Sequence, residues 1–160
     1  MNIQIIEIFT DGSCNPEFLI GGWAASIFHN DKKIVIQGTE FQTTHNRMEL
    51  MAVIQSVEYV LKEFQDIKSI KIFTDSQYVA EIPRRKEKLI TKNLKTKRGN
   101  SIHNVDLIEK LIDILNSTNI EFIKVKAHQK SSEKTNYNRE VDKLSRKIVR
   151  QKVVEKFKSK

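Results

Sequence analysis

The chain has 160 residues, 39% of them hydrophobic, which is enough for one domain that buries roughly 70% of its unfolded surface. No apolar run reaches the ~20 residues of a membrane span, and the N-terminus lacks the pattern of a signal peptide. The single cysteine excludes an internal disulfide and is typical of a reducing compartment, so we expect a cytoplasmic protein.

Positive charge is concentrated in two segments. Residues 84–98 contain eight basic residues and one acid, and residues 143–160 contain the same numbers. Each segment is net +7, which leaves the rest of the chain at −6 within the total of +8. Basic segments around an acidic centre are typical of a protein that binds a polyanion and performs metal chemistry on it, although solvated lysine-rich helices give the same pattern.

The first part of the chain predicts three strands in an antiparallel meander. Apolar, β-branched residues fill 3–10, and strand patterns follow at 22–29 and 33–41, separated by a turn signal. The first strand is expected to end on Asp11, with residues 12–13 as turn residues.

A helix and a fourth strand come next. The polar stretch 43–46 opens an amphipathic helix whose apolar stripe extends over residues 50–64. Residues 69–74 form a strand pattern, and a short helical stretch at 76–82 is expected to stop at Pro83.

The rest of the chain predicts two more helices and one more strand. The basic segment 84–98 has no strong period, and Asn104 is a plausible N-cap for the helix that follows it. A strand at 120–125 and a polar loop at 127–138 precede a last helix around residues 141–153. The alternation of strands and helices predicts an α/β fold with a mixed sheet covered by helices.

Two strands carry the same ending. Ile-Phe-Thr-Asp stands at 8–11 and again at 72–75. If these strands lie side by side and parallel, Asp11 and Asp75 emerge at the same edge of the sheet. Two carboxylates held that close repel each other, so the pairing predicts a divalent metal site.

Two further acids lie on helices. Glu49 precedes Val53 by one turn at the edge of the buried face, and Asp142 follows Val141 near the start of the last helix. Each acid alone also fits a residue favoured by the helix dipole, just as Asp75 alone fits an N-cap. Together the four carboxylates can converge, and such hard oxygen ligands suit Mg²⁺ or Mn²⁺ better than zinc.

Six short motifs follow one another along the chain. They are Thr-Asp-Gly-Ser-Cys at 10–14, Thr-His-Asn-Arg-Met-Glu-Leu-Met-Ala at 44–52, Thr-Asp-Ser-Gln-Tyr-Val at 74–79, Asn-Val-Asp-Leu at 104–107, Val-Lys-Ala-His at 125–128 and Asp-Lys-Leu at 142–144. In this order and spacing they resemble the type 1 ribonuclease H family over almost the whole chain. The resemblance implies a ribonuclease H-like α/β fold over residues 1–160, with a five-stranded mixed sheet in βββαβαβα order flanked by helices and a basic C-terminal helix and tail at 143–160.

The resemblance also implies a reaction. In this family four acids hold two Mg²⁺ ions, for which Mn²⁺ can substitute, and the matching positions are Asp11, Glu49, Asp75 and Asp142. The implied activity is hydrolysis of the RNA strand of RNA–DNA hybrids, which leaves 5′-phosphate products. His128 matches the histidine that assists proton transfer or product release, although a loop histidine alone is more often a surface residue.

By the same resemblance, polar residues read the minor groove of the hybrid. The implied positions are Cys14, Asn46 and Gln77. This chain departs from the family in the loop at 15–20, which has fewer glycines, and at His45, where asparagine is common.

A second implied contact is a pocket for a phosphate of the DNA strand. Thr44 and Asn104 match its positions, and Arg47 is expected to help there or to pair with a surface acid. The segment 84–98 matches the family's basic protrusion but has no tryptophan, since Trp23 is the only one in the chain. Its contact with the DNA backbone is therefore expected to be mainly electrostatic.

Three other interpretations compete with this one. The chain could be a non-catalytic hybrid-binding module, a resolvase-like or transposase-like nuclease of the same fold, or a ribonuclease H domain of a reverse transcriptase. A binding module has no need for four converging acids, and the motifs at 46–50 and 74–78 disfavour a resolvase. The initiating methionine favours a standalone protein, which we expect to be monomeric and to bind no membrane.

Overall fold

A mixed β-sheet of five strands forms the centre of the structure, a computed structural model that describes residues 4–126 and 132–158. The strands are β1 (Gln4–Asn15), β2 (Ile20–His29), β3 (Lys32–Phe41), β4 (Ile67–Thr74) and β5 (Ile120–Lys124). They lie in the order β3-β2-β1-β4-β5; β1, β2 and β3 pair antiparallel, whereas β4 pairs parallel with β1 and β5. This arrangement confirms the predicted α/β fold with a five-stranded mixed sheet.

Helices cover both faces of the sheet. Those in the described part of the chain are α1 (His45–Glu63), α2 (Gln77–Ala80), α3 (Ile82–Thr91), α4 (Val105–Ser117) and α5 (Glu133–Lys158). Ile6 and Ile8 of β1 belong to the core formed with α1 and α4, whereas Phe9 packs with Val141 of α5. Because side chains alternate along a strand, α5 covers the face opposite to α1 and α4. Over the two described ranges, no helix combines the length and the apolar character needed to cross a membrane.

Strand β1 is longer than predicted. The prediction that it ends on Asp11 is wrong, because β2 continues beside it and Asp11 pairs with Ala24 in the antiparallel ladder. The parallel ladder with β4 does stop early, at the pair Phe9 and Phe73. Beyond Phe9, β1 therefore pairs with β2 and no longer with β4, and it continues as a strand to Asn15.

The role of Pro83 differs from the prediction, and the cap at Asn104 differs only in its geometry. Pro83 lies in the first turn of α3, where its missing N–H removes no helical hydrogen bond, so it begins a helix and does not end one. The basic segment 84–98 is accordingly helical as far as Thr91. Asn104 is the N-cap of α4 as predicted, but with φ 59° and ψ 31° and without a side-chain cap hydrogen bond.

Helix α5 starts earlier than the sequence pattern predicts. Residues 127–131 of the predicted polar loop lie outside the described residues, but the part from Glu133 onward is helical. Tertiary packing explains this, because the Tyr137 ring lies 4.5 Å from Phe28 and 5.3 Å from Phe9 between ring centroids. Asp142 consequently lies well inside the helix and not near its start.

Gly12 sets the distance between β1 and α1. A Cβ atom added there would lie 2.4 Å from the backbone N of Glu49 and 2.4 Å from the backbone C of Met48. Only glycine permits so close an approach of two backbones. Gly12 is thus a strand residue that lets α1 lie directly against β1, and not the turn residue that the sequence predicts.

Replacing Gly12 by alanine is expected to lower the free energy of unfolding by ~1–3 kcal/mol, because α1 must move away from β1. Urea unfolding followed by circular dichroism measures this change. Ser13→Ala is the matched control, because it alters the next residue of the same strand without adding a Cβ atom. Equal stability of the Gly12→Ala variant and the parent protein would contradict the close packing described here.

Candidate functional site

Two aspartates lie where the β1–β4 ladder ends. The last paired residues, Phe9 and Phe73, stack with ring centroids 4.5 Å apart. Asp11 and Asp75 each follow two residues later in the sequence. The parallel register therefore brings these two carboxylates to the same edge of the sheet, as the repeated Ile-Phe-Thr-Asp motif predicts.

The third carboxylate comes from α1. Because α1 lies against Gly12, its residue Glu49 enters the site directly beside Asp11. One carboxylate oxygen from each of Asp11, Glu49 and Asp75 lies within 4.8 Å of the other two. Asp11 and Glu49 are almost fully buried, with 3% and 1% of their surface exposed, so this acidic cluster forms one wall of the site.

Burial and mutual repulsion favour the protonated forms of this cluster. Burial, together with the charge of Glu49, raises the pKa of Asp11 from 3.8 to about 9, while a hydrogen bond from Ser145 acts in the opposite direction. Burial also raises the pKa of Glu49, and burial with the charge of Asp142 raises that of Asp75. Without a cation, the three carboxylates therefore cannot all be ionised near neutral pH without a substantial cost.

Asp11, Glu49 and Asp75 line a cavity with a volume of about 660 Å³. Asp142 also lies on the wall of this cavity. Its Oδ1 forms an ion pair with Nε of Arg146 at 3.1 Å, and Arg146 and Arg150 line the cavity beside it. Asp142 is not part of the group whose oxygens lie within 4.8 Å of one another. The structure thus brings three of the predicted acids together and places the fourth on the lining of the same cavity, together with two arginines.

Two contacts in the site were not predicted from the sequence. Ser145 donates a hydrogen bond to Oδ2 of Asp11 at 2.7 Å, and Nε2 of His45 lies 3.2 Å from Oε1 of Glu49. The available signal was helical spacing, because Ser145 follows Asp142 by three residues and His45 precedes Glu49 by four. What the sequence does not reveal is that Ser145 faces a strand far away along the chain.

The donor atoms of the cluster fit a hard divalent cation. Asp11, Glu49 and Asp75 offer only carboxylate oxygens, the ligands that Mg²⁺ and Mn²⁺ prefer. Oε2 of Glu49 is buried and has no hydrogen-bond partner among the described residues. A buried carboxylate oxygen without a donor is costly unless a cation neutralises it, so the residues present fit a metal ion.

The residues predicted for the substrate are more dispersed. Cys14 lines the cavity and its Sγ donates to the backbone O of Thr43 at 3.5 Å. Thr44 caps α1 by accepting from the backbone N of Arg47 at 3.2 Å. The Arg47 guanidinium makes two hydrogen bonds to Asp106, at 2.9 and 2.8 Å, and a third of 2.6 Å to Glu40.

The other predicted contacts lie outside the cavity wall. Asn46 and Gln77 are exposed, and Nε2 of Gln77 donates to Oε1 of Glu81 at 2.9 Å. Asn104 is half-buried and its Nδ2 donates to the hydroxyl of Tyr78 at 3.3 Å. His128 lies outside the described residues.

Sequence comparison identifies the family. The model of the RNase H family matches residues 4–150. The chain is 37% identical over 150 residues to a ribonuclease H of Wolbachia, covering 93% of this chain and 98% of that protein. It is 37% identical over 145 residues to a ribonuclease HI of Xylella fastidiosa, with 90% and 91% covered. A ribonuclease H of Caldicellulosiruptor saccharolyticus is 31% identical over 148 residues, with 91% and 97% covered.

Solved structures agree on the fold. LC9-RNase H1, described as a type 1 RNase H with the type 2 active-site motif, superposes with a TM-score of 0.77 at 20% identity, covering 93% of this chain and 74% of that one. A foamy viral protease-reverse transcriptase solved with double-stranded DNA gives a TM-score of 0.69 at 16% identity, with 91% and 93% covered. With its sequence match over nearly the whole chain and this sheet topology, the protein belongs to the ribonuclease H family.

Proposed function

We propose that this protein is an endoribonuclease that hydrolyses the RNA strand of RNA–DNA hybrids and leaves 5′-phosphate products. The observation that carries the proposal is the acidic cluster, in which oxygens of Asp11, Glu49 and Asp75 lie within 4.8 Å of one another at the edge of the sheet. A hybrid-binding module gains nothing from burying like charges together, because their repulsion opposes folding. In a nuclease, cations bound between these carboxylates would offset their repulsion.

Metal ions would supply the central chemistry. The four acids would hold two Mg²⁺ ions, or Mn²⁺ in their place, and such ions would supply an activated water and charge stabilisation for the leaving 3′-oxygen of an in-line displacement at phosphorus. Asp11 and Glu49 bind from the buried side, where packing restricts their side chains. Asp75 and Asp142, which are only half-buried, would complete the set of ligands.

Cationic side chains attract the nucleic acid to this cavity. Arg146 and Arg150 line it, and the basic segment 84–98 gives a second region of positive charge. Phosphate groups of the substrate would contact these cations and release their counterions, so binding should weaken as salt rises. The cavity therefore combines acids proposed for catalysis with arginines proposed for substrate binding.

Contacts that distinguish a hybrid from other duplexes are proposed for five polar residues, of which Cys14 lines the cavity. Cys14, Asn46 and Gln77 would contact the minor groove of the hybrid, where 2′-hydroxyls distinguish RNA from DNA. Thr44 and Asn104 would bind a DNA phosphate.

Two further residues have proposed roles near the substrate. Arg47 would act in the phosphate pocket mainly as a support, because Glu40 and Asp106 already engage its guanidinium. His128 would transfer protons or assist product release. We further propose that the protein acts as a monomer in the cytoplasm.

The first prediction concerns catalysis. Asp11→Asn and Asp75→Asn are each expected to lower cleavage of an end-labelled RNA–DNA hybrid in Mg²⁺ by roughly a thousand-fold, because each removes a charged ligand from the proposed metal site. Asp113→Asn, which changes an exposed aspartate on α4, is the matched control and should cleave like the parent protein. End-group analysis of the cleaved RNA should find 5′-phosphate.

Two results would contradict the catalytic proposal. Equal cleavage of the hybrid, of double-stranded RNA and of double-stranded DNA would refute the hybrid specificity. Tight hybrid binding by the parent protein without turnover in Mg²⁺ or Mn²⁺ would favour the binding-module interpretation.

The second prediction concerns stability. Because the pKa of Asp11 is raised from 3.8 to about 9, its contribution to stability is fully present below pH 4 and is lost as the pH rises towards 9. Asp11→Asn removes this charge, so at pH 8 in EDTA the variant should be more stable than the parent by ~1–2 kcal/mol, or roughly 2–8 °C in Tm. The difference should shrink as the pH falls to 4.

Mg²⁺ should reverse this order. A cation that binds the folded state raises the Tm of the parent protein, whereas the Asp11→Asn variant should gain much less. Thermal unfolding followed by circular dichroism, with and without Mg²⁺, measures both effects. A variant less stable than the parent in EDTA at pH 8 would show that repulsion in the acidic cluster is not the dominant effect.

A further inference from the structure

Ser145 lies at the contact between helix α5 and strand β1, which both carry acids of the site. It lies on α5 one turn after Asp142, and it is fully buried. Its Oγ lies 2.7 Å from Oδ2 of Asp11 on β1 and 3.0 Å from the backbone O of Asp142. A single hydroxyl thus connects the strand and the helix that carry two of the four acids.

The carboxylate is the stronger of the two acceptors. A hydroxyl has one proton to donate, and once a bound cation keeps Asp11 ionised, a hydrogen bond to its oxygen is stronger than one to a neutral carbonyl. The two distances follow this order, because the contact to Asp11 is the shorter one. Ser145 is therefore primarily a donor to Asp11.

A second buried serine provides the comparison. Ser56 on α1 is also fully buried, and its Oγ donates to the backbone O of Val53 at 2.9 Å, three residues earlier in the same helix. Such a bond satisfies the hydroxyl within its own helix and needs no other partner. Ser145 has the equivalent carbonyl of Asp142 within reach, but it also has a carboxylate from β1.

We propose that Ser145 is a positioning residue that holds Asp11 for metal binding. By occupying Oδ2, the hydroxyl fixes the rotation of the carboxylate and leaves Oδ1 for a metal ion. Hydrogen bonds to a ligating carboxylate from outside the metal sphere commonly orient it in this way. The inference rests on the proposed function, because it requires that the acidic cluster binds a divalent cation.

The test measures metal affinity without any substrate. Mn²⁺ is titrated calorimetrically into the parent protein, Ser145→Ala and Ser56→Ala. We expect Ser145→Ala to bind Mn²⁺ about 10–100-fold more weakly than the parent, the effect usual for the loss of such a hydrogen bond. Ser56→Ala should bind like the parent, although both variants lose a buried hydroxyl and a bond within a helix.

A third variant separates the hydrogen bond from packing. Ser145→Cys keeps a side chain of similar shape but replaces the hydroxyl with a weak S–H donor. Its affinity should fall towards that of Ser145→Ala if the hydrogen bond matters. Affinity equal to that of the parent would overturn the proposal, because shape alone would then be sufficient. Thermal unfolding in EDTA checks that all variants fold.

Kinetics provide a second readout. If Ser145 acts on the metal ligand, Ser145→Ala should recover hybrid cleavage at raised Mg²⁺ concentration, while its KM for the hybrid stays near that of the parent. A loss that no metal concentration restores would overturn the positioning role. Failure of the parent protein itself to bind Mn²⁺ would instead contradict the proposed function, so the two failures are distinguishable.

Discussion

Like-charge repulsion in a buried place is the constraint on which this structure depends. Asp11 and Glu49 are almost fully buried, and Asp75 lies close to both. Folding brings them together because packing of the hydrophobic sheet sets the register of β1 and β4. Phe9 and Phe73 are paired and stacked, and the two aspartates follow them at the same edge of the sheet. The core thus stabilises an arrangement that its own carboxylates oppose, which is typical of functional sites.

Much of this arrangement could be predicted from the sequence. Strand patterns locate β1 and β4, because periodicity is a local signal, and the repeated Ile-Phe-Thr-Asp motif places Asp11 and Asp75 at one edge of the sheet once these strands pair in parallel, as they do. The apolar stripe of α1 places Glu49 at the edge of the buried face for the same reason. Family resemblance adds the order of the strands, which periodicity alone does not determine.

The remaining features depend on contacts between distant parts of the chain. Gly12 looks like a turn residue until α1 is known to lie against it, and Pro83 looks like a helix stop although it begins α3. The sequence pattern places the start of α5 too late, because the first turns of this helix are polar. These turns are held against the sheet by the packing of Tyr137 on Phe28. Each of these features is determined by tertiary packing, which local propensity does not record.

Helix α5 follows the other described helices and all five strands in chain order, which determines when the site can form during synthesis on the ribosome. Asp11, Glu49 and Asp75 all precede it, whereas Asp142 and Ser145 belong to it. A nascent chain that has not yet released α5 from the ribosome contains three of the four acids without the fourth and without the hydroxyl that contacts Asp11. The order of translation therefore delays completion of the site until α5 emerges, after all five strands of the sheet that supports it.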